Sequence, residues 1–137
     1  MTRYLLDTNV VSELRKNKPH GAVVSWFGTL GNGQVFVSAV TMGELQSGVE
    51  RTRRQDRLKA SDIEDWLTYF ENAFAFLPMD AACFREWSRL MEGRPGTLEM
   101  DAMIAATARV HGLTVATRNE RDFRHLGVEI VNPFKST

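Results

Sequence analysis

The chain has 137 residues, 43% of them hydrophobic, enough for one domain with a substantial core and no covalent staples. Its 17 Lys+Arg balance 17 Asp+Glu, so no overall basic field advertises a polyanionic partner, although bound cations could supply positive charge locally. A single cysteine excludes an intrachain disulfide, MTRYLLDTN has too short an apolar core for a signal peptide, and no run reaches the ~18 apolar residues of a membrane span, so a soluble chain in a reducing cytoplasm is expected.

Short apolar runs alternate with helical patterns along the chain. A strand near 3–6 stops on Asp7, and a helix follows near 9–16 that fades before Pro19. A second helix is read over AVVSWFGTL. The strand VFVSA at 35–39 leads into a helix over TMGELQSGVERTR, where Leu45 and Val49 share a face and Thr41 and Glu44 have capping-box spacing. The basic stretch RTRRQDRLK then precedes a helix over SDIEDWLTYFENAF, expected to begin at Ser61 because Ser61 and Glu64 repeat that spacing. AFLPM reads as a third strand and DAACFREWSRLME as the helix after it, with Asp80 as N-cap and Cys83 as a packed, inert thiol. GRPG breaks the chain. A helix over LEMDAMIAATARVHG ends at Gly112, strand TVAT follows, RNERDF forms a loop, and GVEIV closes as a fifth strand. This alternation implies a parallel, doubly wound α/β sheet. No GxxxxGK[ST] occurs and GTLGNG lacks the strand-then-helix placement of a dinucleotide loop, so nucleotide-cofactor chemistry has no anchor.

In such a sheet the strand C-termini and helix N-termini share one edge, where ligands bind. That edge collects Asp7 after the first strand, Glu44 after the second, Asp101 at the opening of the helix before the fourth, and Asp122 in the loop after the fourth. Each has a local use as well. Asp7 could cap the next helix, Glu44 could belong to a capping box, and Asp122 and Asn119 could be turn residues. Asp101 is harder to dismiss, since it shares the apolar face of Ile104, Ala105 and Ala108, where a carboxylate is costly unless paired or metal-bound. Pooled carboxylates need counter-charge. Arg118 is the one nearby base, and hard oxygen ligands suit Mg2+, with Mn2+ as a substitute. His20, His111 and His125 have no zinc-type spacing, so zinc is not expected. An all-carboxylate Mg2+ site fits phosphodiester hydrolysis.

The segments LLDTNVVSEL, VSAVTMGEL, EMDAMIAATA and ATRNERDF, ending in VNPF, resemble the PIN-domain family, particularly its VapC and FitB-like toxins of toxin–antitoxin pairs, over nearly the whole chain. The resemblance implies a single PIN domain over 1–137, a five-stranded parallel sheet of order 3-2-1-4-5 with helices on both faces, and a Mg2+-dependent endoribonuclease. It also implies a homodimer, an acidic cleft blocked by a small antitoxin, and contact with DNA only through that antitoxin. The family's acidic positions map to Asp7, Glu44, Asp101 and Asp122, leaving Asp80 by the outermost strand and away from the cleft. The first three are expected to hold the metal, with Asp122 completing the site or holding a second ion. Asn119 is the alternative ligand in that loop, and Glu99 is a further acid on a different helical face. Thr8, Asn9 and Thr117 are expected to support the site, Thr8 or Asn9 by orienting the Asp7 carboxylate. Arg53, Arg54, Arg57 and Arg118 are candidates for a rim touching RNA phosphates or an acidic antitoxin segment. Two other readings stand beside the nuclease. One is an aspartyl phosphatase, which LLDTN disfavours by placing Asn9 where a second Asp belongs; the other is a non-catalytic dimeric partner of a DNA-binding antitoxin.

Overall fold

The structure, a computed structural model, describes residues 1–135. Strand β1 (Tyr4–Leu6) is central, with β2 (Val35–Ser38) and β3 (Ala75–Leu77) on one side and β4 (Thr114–Ala116) and β5 (Ile130–Val131) on the other, giving the order β3-β2-β1-β4-β5. All four pairings are parallel, with Leu5 opposite Phe36 and Val115, and Leu6 opposite Val37 and Ala116. The order and direction are those the resemblance implied.

Strand alternation sends neighbouring side chains to opposite faces, so each face acquires its own core. Leu5 and Val115 pack with Leu90, Ile104, Ala105, Ala108, Phe123 and Leu126. These come from α5 (Ala81–Met91), α6 (Glu99–His111) and the short α7 (Glu120–His125) with the residue after it. On the other face Leu6, Val35, Val37 and Ala116 meet Val10, Val11, Val23 and Phe70, carried by α1 (Thr8–Arg15), α2 (Gly21–Gly28) and α4 (Arg57–Ala73). A smaller cluster of Val49, Ala60 and Leu67 joins α3 (Ala39–Arg53) to α4.

Three local expectations change. The N-cap of α3 is Ser38, whose hydroxyl accepts from Val40 N–H, so Thr41 and Glu44 lie inside the helix and form no capping box. Helix α4 begins at Arg57, a turn before Ser61, because the Asp56 carboxylate accepts from Lys59 N–H at 3.0 Å and supplies the cap. RTRRQDRLK is therefore the end of one helix, a tight turn and the start of the next. RNERDF is not a loop: it winds into α7, anchored by the fully buried Phe123, and at six residues this helix is too short for a hydrophobic period to register. Gly112 ends α6 as expected, with φ 66° in the left-handed region. Among the described residues, no helix is long and apolar enough to cross a membrane.

Candidate active site

The pairing of β1 with β4 continues one step past the strands, since Asp7 N–H donates to Ala116 O at 2.9 Å. That step sets Asp7 beside Thr117, and the Thr117 hydroxyl donates to Asp7 Oδ2 at 2.8 Å. Asn9 Nδ2 donates to the same oxygen at 3.0 Å, and Thr8 N–H donates to Oδ1 at 2.8 Å, which also caps α1. Asp7 is only 5% exposed. Burial pushes its carboxyl above the usual range, against these donors, with the nearby Glu44 charge pushing the same way.

Glu44 reaches the site from the second turn of α3. Its Oε1 accepts from the Thr8 hydroxyl at 2.7 Å, and the hydroxyls of Thr8 and the buried Thr41 are hydrogen-bonded at 3.2 Å. Asp101 stands in the first turn of α6, and Asp122 in the first turn of α7. The Asn119 amide joins them, donating to Asp101 Oδ2 at 3.1 Å and to Asp122 Oδ2 at 3.0 Å. Asn119 is itself held by its N–H on Thr117 Oγ1 at 2.9 Å. Asp101 is pushed up to about 6, by burial first and then by the charges of Asp7, Asp122 and Glu44, with the Asn119 bond working in the other direction. The acids from four separate parts of the chain thus lie close enough to repel.

Among the described residues, no side-chain cation pairs with Asp7, Glu44, Asp101 or Asp122 to relieve that repulsion. Arg118, the base expected nearest, turns its guanidinium over the Phe134 ring at 3.7 Å, while its backbone N–H donates to Asn9 Oδ1. Arg53 is committed to Glu50 at 3.0 Å and Glu64 at 2.9 Å, clamping α3 to α4. With exposed Arg54 and Arg57 it lines a hollow beside Glu50, apart from the acids. Glu99 is exposed and meets Trp87 only through its backbone carbonyl. Asp80 caps α5, accepting from Cys83 N–H at 3.0 Å, as expected.

Two arginines that sequence reasoning missed do reach the site's approach. An open groove of about 520 Å³ runs from Thr8 and Glu44 past Arg15 and Arg51 to Gln55. Arg15 opens the short basic run RKNK and Arg51 opens RTRRQDRLK, but nothing local distinguishes them from the neighbouring basic residues that point elsewhere. The described residues also contain a mixed group able to hold a metal ion, Asp80, Cys83 and His111, formed away from the acids.

A family model described as PIN domain matches residues 4–129. The VapC ribonuclease Y4jK of Sinorhizobium fredii is 34% identical, covering 96% of this chain and 97% of its own length. Toxin FitB of Neisseria gonorrhoeae is 34% identical over 95% of this chain and 97% of its own. The crystal structure of FitAcB from Neisseria gonorrhoeae superposes with a TM-score of 0.84 at 31% identity, covering 96% of this chain and 98% of that one.

Proposed function

The chain belongs to the PIN-domain family, and from that premise we propose that it is a divalent-cation-dependent endoribonuclease, the toxin of a toxin–antitoxin pair, built as one domain over 1–137. The observation that carries the reading is the convergence of Asp7, Glu44, Asp101 and Asp122 with no salt-bridge partner among the described residues, felt at Asp101 as a carboxyl pushed up to about 6. Such a donor set is all oxygen and net negative, which fits Mg2+ or Mn2+. A divalent cation bound there supplies counter-charge to the scissile phosphate and lowers the pKa of the attacking water.

The chain's own residues hold that arrangement still. Thr117, Asn9 and the Thr8 N–H fix both oxygens of Asp7. The Thr8 hydroxyl fixes Glu44, and the Asn119 amide holds Asp101 and Asp122 at a set spacing. Asp7, Glu44 and Asp101 would hold the first ion, and Asp122 would complete the site or hold a second. With both oxygens of Asp7 engaged by donors, the geometry suits an oriented ligand better than a phosphatase nucleophile. Arg15 and Arg51 line the groove leading to the acids and are placed to meet the phosphates of an RNA strand. The names of the relatives, a ribonuclease and a toxin, support the substrate class and the biological role. A small antitoxin that covers the acidic cleft, a homodimer, contact with DNA only through the antitoxin, and a cytoplasmic location complete the proposal.

Purified protein should cleave RNA in Mg2+ or Mn2+ and stop in EDTA. Asp7→Asn, Glu44→Gln and Asp101→Asn should each lose on the order of 100-fold in rate or more, since outer partners of metal sites alone are worth ~10–100-fold. Undiminished cleavage in EDTA by a preparation free of other nucleases, or full activity in Asp101→Asn, overturns the mechanism.

A further inference from the structure

We propose that Asp80, Cys83 and His111 form a second metal site, separate from the acidic cleft, that takes a borderline-soft transition ion such as Zn2+ through a carboxylate, a thiolate and an imidazole. The three side chains each offer a ligand atom, and these atoms all lie within 4.8 Å of one another. Nε2 of His111 is buried and, among the described residues, has no hydrogen-bond partner. A buried polar atom left unpaired is costly and uncommon, and a metal bond from Nε2 removes that cost.

The fold explains how the donors meet. Helices α5 and α6 pack as a hairpin, which brings the start of α5 to the end of α6. Asp80 and Cys83 are the N-cap and a first-turn residue of α5, where the helix dipole favours anionic ligands. His111 is the last residue of α6, where the dipole favours a cation. Asp80 spends Oδ1 on the Cys83 N–H, leaving Oδ2 for an ion. Cys83 is fully buried while Asp80 is exposed, so the cluster has a dry floor and a polar mouth. Thr107, one turn before His111, donates to Met103 O at 2.9 Å and approaches Met79 Sδ at 3.4 Å, which holds the residue beside Asp80 in place.

Sulfur, nitrogen and oxygen donors select zinc-like ions and disfavour Mg2+. Three protein ligands leave a fourth tetrahedral position, reached from the Asp80 side, for water. On metallation the Cys83 thiol releases its proton to solvent and the sulfur bonds the ion as thiolate. Asp101 and His111 stand at opposite ends of α6, about 15 Å apart at ~1.5 Å per residue, so the two sites load independently. Sequence spacing carries no signal for zinc here because the three donors are brought together by helix packing and not by a short motif.

The test uses Co2+ as the probe on the full chain, stripped with EDTA and kept reduced. Cys83 is the only cysteine, so a near-ultraviolet sulfur-to-cobalt charge-transfer band reports this site and no other. The band should appear with one equivalent of Co2+, vanish when Zn2+ is added, and persist unchanged in Asp101→Asn. His111→Gln should weaken Zn2+ competition by at least ~10-fold, the lower bound for losing even an outer partner of a metal site. Absence of the band in the wild-type chain overturns the proposal whatever the variants do, and so does a band that a folded His111→Gln retains at full affinity.

Discussion

Asp101 shows how far a single side chain can be displaced from its solution chemistry by its neighbours. Its carboxyl rises from 3.8 to about 6, first through burial and then through Asp7, Asp122 and Glu44. The folded pKa lies above the unfolded one, so the folded chain keeps a proton that the unfolded chain loses between those values. The stability linked to that proton is complete below the unfolded pKa and is lost as pH rises through about 6. In EDTA the wild-type chain should therefore gain stability on going from pH 7 to 5, and Asp101→Asn should gain less over the same interval. Denaturant midpoints of both proteins across that range measure the difference, in which the histidines, common to both, cancel. Parallel slopes would mean that the Asp101 proton is not held by the fold. At this scale Asp7 and Asp101 were legible, because a carboxylate at the end of an apolar run or on an apolar helix face is conspicuous, whereas Glu44 and Asp122 stood out only by following a strand. The donors were only partly so: Thr8 and Asn9 adjoin Asp7 in sequence, but nothing local says that Asn119 spans Asp101 and Asp122.

Elements were readable wherever their period had room to repeat. Helix α6 matches its expected end because thirteen residues of pattern run into a glycine that takes φ 66°. Helix α7 escaped notice because six residues span less than two turns. The capping boxes misled for a different reason. Residues three apart share a helix face anywhere along a helix, so the Ser/Thr-x-x-Glu spacing does not distinguish a start from an interior. Asp56 and Ser61 allow a direct check. Asp56→Ala should cost about 1 kcal/mol by uncapping α4. Ser61→Ala, at an exposed interior position, should be neutral or stabilise by a few tenths of a kcal/mol. Chemical denaturation of the two variants reads the ranking, and the reverse order would put the helix start back at Ser61. The basic stretch likewise changes meaning once its elements are seen, with Arg53 closing α3 onto α4 through Glu50 and Glu64.

For the whole molecule, the acidic edge is a local weakness that the proposed ion would convert into a source of stability. A cation that binds only the folded state stabilises it by about 2.7 kcal/mol at a hundredfold excess over Kd. Relative to EDTA, a Mg2+ titration should raise the wild-type Tm by several degrees. Asp101→Asn should match or exceed the wild type in EDTA and gain little from Mg2+, with Ca2+ as a control for hard-cation binding without turnover. If Asp101→Asn is clearly weaker in EDTA yet shifts as far, Asp101 supports the fold and does not bind the ion. Mg2+ is the informative cation because the Asp80, Cys83 and His111 donors disfavour it. Sequence by itself determined the alternation of strands and helices and the presence of acids at the strand ends, since side-chain period and strand termination are local properties of the chain. The strand order came with the family resemblance, and the pairing geometry matches it. Tertiary structure alone decided that Arg118 faces Phe134, that Arg15 and Arg51 line the approach to the acids, and that Cys83 meets His111. Those contacts depend on how elements distant in the chain pack against one another, and no short-range period encodes that.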